Sequence, residues 1–486
     1  MRYLLLLSWL LCSVVLHAQT PSYHALLAGL SDQSLPLVHV TFSADTVTKE
    51  AYVPAQVEVS DYRADAAVPV HTVRYDCLFK VRGSSSIHYD KKSFALRLVD
   101  SDGENLDANL LGLRNENNWI LDAMSIDRLR MRNRLCFDVW NQLSHTPYQT
   151  KFDGRNGTVG RFVELFLNGS YHGIYCLSDK VDRKLLGLRK TTVLPDSTID
   201  LRGWLVKCEK WQYAWSLLNY IDQDQNQCTW NGWEIKYPDD YPSATTWQPL
   251  LQLIDFCAQS SDADFQLHYT DHFYFNNLVE YVVFTLAMNV GDNGYKNTFL
   301  SIPDLTSAQR CLITPWDMDM SLGGNYDGCY YTDLADVERY NIIAPFNRLM
   351  GQNMDGFRDS VACLWGRLSG TLFSPDSIAA RLYSYGDLLT RSGAWARERA
   401  RWDGSPVPLQ SDIADEVALV MTSYVNNYDT LCLQLGTGAP RTAIDALSHR
   451  SLSRSPIYML DGRAAPFAAP FSIQYVKDRM ILFRSR

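Results

Sequence analysis

The chain has 486 residues, 46% of them hydrophobic and 20% charged, with a net charge of −9 and a pI near 5.6. That is a globular composition, long enough for one large core or two. It holds no basic run of the kind that grips nucleic acid, and acidity this mild supports solubility without calling for a polyanionic partner.

Residues 1–18 read as a signal peptide. Arg2 supplies the positive start, Leu4 to Leu16 the apolar stretch and Ala18-Gln19 a cleavage site. At roughly 13 residues the stretch is short for a membrane span, and no later run reaches the ~18 apolar residues of a membrane helix. The expectation is an exported protein, periplasmic, cell-surface or secreted, with no transmembrane segment in its mature chain. Cys12 lies in the leader without the small residues that precede a lipid-modified cysteine. The other cysteines form no C-x-x-C pair, which disfavours a zinc or thioredoxin-like motif. Export permits disulfides, and Cys208–Cys228 and Cys311–Cys329 are the candidate local pairs. Cys136 and Cys176 sit in apolar runs, as buried thiols do.

Residues 36–100 read as strands. LPLVHVTF, AQVEVS and VRYDCLFKVRG alternate or run β-branched. The turn-rich GSSSIHYD separates CLFKVRG from KKSFALRLV, a hairpin with a Gly-Ser loop. Ser125 to Leu143 has helical spacing, with Leu129, Cys136, Val139, Trp140 and Leu143 available for one face. A second hairpin, GRFVELFLNG and SYHGIYCLSDKV, turns at Asn168-Gly169. Residues 187–250 form an insertion or connection around the strand GWLVKCEK, with Trp204, Trp211, Trp215, Trp230, Trp233 and Trp247 among polar residues.

From Trp247 to Gln259 and from Asp271 to Asn289 the pattern is helical. The strands NTFLSI and RCLITPWDMD follow. Helices recur through 335–435 in PFNRLMGQNM, VACLWGRL, SIAARLYSYGDLL and DIADEVALVMTSYVNNYDTL. The expected fold class is α+β and bilobal: a β-rich N-lobe with one helix over about 36–185, and a helical C-lobe over about 251–435. Residues 452–486 read as a terminal strand pair, SPIYMLDGRAAP with FSIQYVKDRMILFRSR. They are similar to the sorting tails of exported Bacteroidetes-type proteins; a hairpin packed on the domain is the other reading.

Candidate chemistry gathers at the junction of the two halves. Asp292 and Asn297 sit in NVGDNGYKNTFL, and Asp317 follows in TPWDMDMSLGG. Phosphoryl transfer needs a carboxylate to orient the attacking hydroxyl, and an amide with a second carboxylate to hold a hard cation. Asp292 lies in the run Gly291, Asp292, Asn293, Gly294, which can take unusual backbone angles. Asp317 follows the apolar LITPW and is expected at a rigid strand end, where a metal ligand belongs. Asp319 points the same way if the strand continues, as a second ligand or as the partner of an arginine. For each of these the plainer role is a turn or a helix cap.

The loop Arg82-Gly83-Ser84-Ser85-Ser86 could lie over phosphates, with backbone N–H groups and hydroxyls as donors; a polar hairpin turn is the alternative. Lys91 or Lys92 opens the next strand, and Lys92 is favoured over Lys180 as the phosphate-contacting lysine. The helix at 125–143 contains no Glu, so Asp127 at its start and Glu209 in a later strand are the acids available to orient a lysine. Which acid pairs with which lysine stays open, as does whether Arg132 and Asn133 fix the site or only cap the helix. H-E-x-x-H, G-x-S-x-G and the P-loop pattern are missing from the sequence.

In order along the chain, KVRGSSSIHYDKKSFALRL, WILDAMSIDRLRMRN, FVELFLNGSYHGIYCLSDKVDRKLL, GWLVKCEK, GDNGYKN and TPWDMDMSLGG resemble the spore-coat protein H (CotH) kinase family, an atypical branch of the kinase-like fold. The resemblance covers about residues 36–435. Protein kinases space their catalytic loop and metal-binding Asp in a similar way. The resemblance implies transfer of the ATP γ-phosphate to Ser or Thr hydroxyls of a protein, the chain itself included, with magnesium or manganese. It implies Asp292 and Asn297 in the catalytic loop and Asn297, Asp317 and Asp319 at the metal. Arg82, Ser84, Ser85, Lys92, Lys180 and Glu209 are the candidates for contact with the nucleotide.

Two departures are visible. Asp179 precedes Lys180 where family members often carry Glu, and Ser84-Ser85-Ser86 stands where Gly-Asn-Ser-Ser is more usual. Neither removes a charge type. The family also contains surface proteins whose role is adhesion. The alternative function is therefore a non-catalytic, kinase-like surface protein in adhesion or envelope assembly, with an exposed Tyr- and Trp-rich stretch at 204–247 as its contact surface.

Overall fold

The computed structural model describes residues 21–148, 154–210, 217, 225–293, 296–307, 309–330 and 334–436, and the backbone of 471–476 and 479–484. The leader, Trp211, Trp215, Gly294 and the segment SPIYMLDGRAAP lie outside the described residues.

Alternating apolar residues build the first half. Strands β1 (Leu37–Phe42), β2 (Val53–Tyr62), β3 (Val70–Arg82), β4 (Ser93–Val99), β5 (Asn118–Asp122), β6 (Gly160–Leu167) and β7 (Ser170–Ser178) form a closed barrel in the order β1-β2-β3-β4-β5-β7-β6. Every second residue points inward: Val57 and Val59, Cys77, Phe79 and Val81, and Phe94, Leu96 and Leu98 pack with Trp119, Val163 and Tyr175. The β6–β7 hairpin turns at Asn168 and Gly169, both left-handed at φ 48° and 80°, the backbone that a tight Asn-Gly hairpin requires. The barrel closes through a parallel pairing of β1 with β6, Leu37 opposite Glu164, which removes the exposed sheet edge. A short helix α1 (Tyr23–Ala28) lays Tyr23 against Phe166 and Tyr171 on its outside.

The helix expected at 125–143 starts instead at Arg132. Met124 and Arg130 are left-handed, at φ 50° and 57°. The Asp127 carboxylate accepts the N–H groups of Leu129, Met131 and Arg132 at 2.8, 2.7 and 2.7 Å. Those bonds satisfy the orphan donors at the start of α2 (Arg132–Leu143) and make the preceding segment a cap.

A second sheet is assembled from distant pieces. Strands β8 (Trp204–Cys208), β9 (Thr229–Trp230), β10 (Trp233–Tyr237), β11 (Thr298–Ile302) and β12 (Leu312–Pro315) pair in the order β9-β10-β8-β11-β12. The tryptophan-rich stretch thus contributes strands to the sheet beside the Asp292 loop. Trp204, Trp230, Trp233 and Trp247 are buried in the largest core, which corrects the expectation of an exposed aromatic surface at these four positions.

Helices α3 (Ala244–Gln259), α4 (Asp262–His272), α5 (Phe275–Ala287), α6 (Phe346–Gly351), α7 (Phe357–Leu368), α8 (Pro375–Arg391), α9 (Ala394–Arg401) and α10 (Ile413–Gln434) make the second half. The single helix expected at 271–289 is broken where Phe273 turns extended and bridges to Cys311. Helix α5 is apolar and buried nearly all round, as a core helix is. The whole is α+β, β-rich first and helical after. Among the described residues, no helix is long and apolar enough to cross a membrane.

The expected disulfides do not form: the ten cysteines of the described residues are not joined in disulfides. Each expected pair would join a core position to an outer one, since Cys208 and Cys311 are buried, Cys228 is partly exposed and Cys329 is exposed. At the C-terminus, Phe471–Val476 pairs antiparallel with Arg479–Arg484, so both strands come from the second of the two segments expected to pair.

Candidate active site

The loop after α5 and the segment after β12 are tied together by backbone. Gly291 N–H donates to Met320 O at 3.1 Å, Leu322 N–H to Met288 O at 2.9 Å and Trp316 N–H to Asn297 O at 2.8 Å. The Asn293 side chain crosses between them, its Nδ2 donating to the carbonyls of Asn297 at 2.8 Å and Trp316 at 2.7 Å. Asn297 N–H donates to Cys208 O at 3.0 Å, which fixes the loop to β8. Asn297 and Asp317 are both left-handed, at φ 55° and 57°. Asn and Asp tolerate that backbone better than other residues with a side chain, and a β-branched residue would be strained at either position.

Those anchors bring the side chains together. Asn297 Nδ2 donates to Asp292 Oδ2 at 3.3 Å, and the Lys296 ammonium stands 2.8 Å from the same oxygen. Asp317 and Asp319 each keep some exposed surface, yet burial is the main cause that raises both carboxyls. Both are largely enclosed by protein, with one side left open to solvent. Lys207 opposes the rise at Asp317, whereas the charges of Asp122 and Asp292 add to it. Asp319 is pushed well above the usual carboxylate range by burial and then by Asp317, Asp122, Asp127 and Asp292. Burial would lower the Lys296 ammonium, but the Asp292 bond and the charges of Asp292, Asp317 and Asp319 raise it. The cluster therefore brings like charges together that Lys207 and Lys296 offset only in part.

The barrel reaches the same place. Asp122, at the end of β5, accepts from Asn133 Nδ2 at 3.0 Å. Arg82, at the end of β3, sets its guanidinium 5.8 Å from the centre of the Trp316 ring, and its charge acts on Asp317. Gly83 is left-handed at φ 124°, and a Cβ there would come within 2.2 Å of Ser86 Oγ, so the loop needs glycine. Ser84 and Ser85 lead into a one-turn helix, Ser85–His88. At the loop's far end the Tyr89 hydroxyl donates to Tyr326 O at 2.6 Å.

The lysines divide differently from the sequence reading. Lys92 Nζ donates to Ile87 O at 2.5 Å and to Tyr89 O, carbonyls of its own loop. Burial lowers the Lys180 ammonium, and the charges that act on it most are Asp182, Glu116, Arg97 and Asp239. Glu209 pairs with Lys207, Oε1 to Nζ at 2.7 Å, and it lines a cavity of about 230 Å³ with Lys210 and the turn Thr229–Trp233. Lys207, Lys296, Asp122 and Asn293 were not singled out from sequence. Lys296 had a usable signal, standing four residues after Asp292 and directly before Asn297. Period-2 spacing also puts Lys207 and Glu209 on one face of their strand.

Among the described residues, no group of three His, Cys, Asp or Glu side chains stands ready to hold a metal ion. Magnesium asks for less: one or two carboxylates, with water and phosphate oxygens completing its shell. Asp317 and Asp319, with the Asn297 amide close to Asp292, offer hard oxygen donors in surplus negative charge. Asn293 Oδ1 is buried with no hydrogen-bond partner. This donor set fits a hard divalent cation.

Residues 79–428, from within β3 to within α10, match the family model described as CotH kinase protein. A comparison with curated proteins finds no match.

Proposed function

The chain belongs to the CotH kinase family, and on that premise we propose that it is an exported atypical protein kinase, transferring the γ-phosphate of ATP to Ser or Thr hydroxyls of a protein substrate, itself included. The observation that carries this reading is the meeting of Asp292, Lys296 and Asn297 within reach of the charges of Asp317 and Asp319, inside the matched span. In this reading the barrel and the helical half are the N- and C-lobes of a kinase-like arrangement.

Asp292 orients the acceptor. Its carboxylate is held by Lys296 and Asn297, and its oxygen takes the hydroxyl proton as the acceptor oxygen attacks the γ-phosphorus. The bond from that phosphorus to the β–γ bridging oxygen breaks, and ADP leaves with the electron pair. Lys296 offers positive charge to the moving phosphoryl group. Asp317 and Asp319, with Asn297, hold magnesium or manganese, which neutralises phosphate charge when bound. Arg82 and the hydroxyls of Ser84 and Ser85 cover the phosphates. Lys207, oriented by Glu209, is the phosphate-contacting lysine, because its charge acts on Asp317 whereas Lys92 is spent on its own loop. A cation held by these carboxylates would offset their repulsion of a triphosphate.

The test is incorporation of label from γ-labelled ATP, with magnesium or manganese, into the purified protein and a Ser-rich acceptor. Wild type incorporates label and Asp317→Ala falls to background. Equal background in both chains overturns the enzyme reading.

A further inference from the structure

Asn133 uses both ends of its amide. Its Nδ2 donates to Asp122 Oδ2 at 3.0 Å, and its Oδ1 accepts the Met318 N–H at 3.2 Å. Only this orientation satisfies both neighbours, since a carboxylate cannot donate and an N–H cannot accept. Met318 is fully buried and lies between Asp317 and Asp319. Asp122 is anchored in turn. Its Oδ1 accepts the Met124 N–H at 3.1 Å and the Ser93 hydroxyl at 3.4 Å, and Ser93 Oγ accepts the Ala123 N–H at 2.9 Å. One polar chain thus runs from two barrel strands, through a single amide, to the peptide that joins the two carboxylates.

Backbone bonds hold the segment on either side of that peptide, Trp316 N–H to Asn297 O and Gly291 N–H to Met320 O, whereas the Met318 N–H between them goes to Asn133. Strand β12 ends at Pro315 and Asp317 is left-handed, so no sheet ladder sets where Asp317 and Asp319 point. We propose that Asn133 is a positioning residue for phosphate transfer: it fixes the Asp317–Met318–Asp319 peptide against the barrel and so sets both carboxylates beneath the Arg82 loop. The role rests on the phosphotransfer reading of this site and gives Asn133 no contact with nucleotide or metal.

The test exchanges donor and acceptor. In Asn133→Asp, an ionised side chain still accepts from Met318 but has no proton to give Asp122, and two carboxylates face each other. In the double variant D122N/N133D, the amide at 122 donates to the carboxylate at 133, whose other oxygen accepts from Met318. Binding of Mn²⁺ alone, kcat and KM for acceptor, and the melting temperature are measured on wild type, both single variants and the double variant. We expect N133D to lose about tenfold or more in Mn²⁺ affinity and in kcat, a size typical of losing a residue that orients a ligand, with KM for acceptor little changed. The double variant recovers most of both losses. The proposal is overturned if N133D binds Mn²⁺ and turns over like wild type, or if the double variant is no better than N133D. Failure of the phosphotransfer reading looks different: wild type takes up no Mn²⁺ and transfers no phosphate, and the positioning role falls with it.

Discussion

The carboxylates of Glu398 and Asp317 are both enclosed by protein, but their surroundings have opposite sign. Glu398, on α9, is 0% exposed and meets Lys91 at 2.6 Å and Arg130 at 2.8 Å, themselves 3% and 1% exposed. Its other oxygen accepts the Ile174 N–H at 2.7 Å. Lys91 also donates to Ile174 O, and Arg130 to the carbonyls of Met124, Ser125 and Asp127. Burial would raise the Glu398 carboxyl, but Lys91 and Arg130 hold it below its ordinary value. At Asp317 burial and neighbouring acids push the same way, against Lys207 and Arg82. A charge cluster that answers all its own members joins parts of a fold. One that leaves like charges facing each other stores an electrostatic demand that a cation can meet, and perturbed groups of that second kind cluster at functional sites.

The contrast is broken most forcefully at Asp317. Asp317→Ala should cut the rate of phosphate transfer by about 10²–10³-fold or more, the scale of losing one preorganised electrostatic group. It should leave urea stability equal or higher, because it removes a repelled carboxylate. A loss of several kcal/mol on unfolding would instead make Asp317 a structural residue. Glu398→Ala is the converse. It leaves Arg130 buried without its carboxylate and should cost about 3–5 kcal/mol, read from the urea midpoint. Next in size is the cation itself. Mn²⁺ at 100 times its dissociation constant should add about 2.7 kcal/mol to wild type and a similar amount to Glu398→Gln where that variant is folded. It should add nothing to Asp317→Ala. Equal stabilisation of all three chains would place the ion elsewhere.

The two clusters were not equally legible in the sequence. Asp292, Asn297 and Asp317 stand out because their residue types match one chemistry in a short span. The barrel strands stand out because inward residues alternate. Closure of the barrel does not, since β1 meets β6 in parallel, a pairing with no turn to announce it. Helical spacing runs on past the start of α2, because it cannot show that Asp127 takes the backbone N–H groups of Met131 and Arg132. Lys207 has no such signal, because its access to Asp317 depends on β8 lying beside β11, with Lys207 opposite Phe299. The Asn133 bridge to Met318 spans 185 residues, and Glu398 reaches Arg130 across 268. Contacts of that range depend on the finished fold, so local pattern carries no trace of them.

The smallest effect sharpens the contrast from the Glu398 side. Burial pushes the Lys91 ammonium down to about 7 from 10.5, against the pull of Glu398, while Arg130 pushes with burial. Between those two values the unfolded chain binds a proton at Lys91 that the folded chain gives up. The unfolded state then binds more protons, so stability rises with pH across the window, by at most about 1.4 kcal/mol per unit. Below about pH 7 both states hold the proton and the dependence fades. Tyrosines and cysteines raised by burial work in the opposite direction at high pH. The quantity to follow is therefore the difference in urea stability between wild type and Lys91→Met, in which they cancel. That difference should grow in favour of wild type from about pH 7 to about pH 9. A flat difference would mean that Lys91 keeps its proton throughout, held by Glu398 despite Arg130. The cluster would then be fully ionic at every working pH, and its saturation would stand further still from the repulsion among Asp317, Asp319 and Asp292.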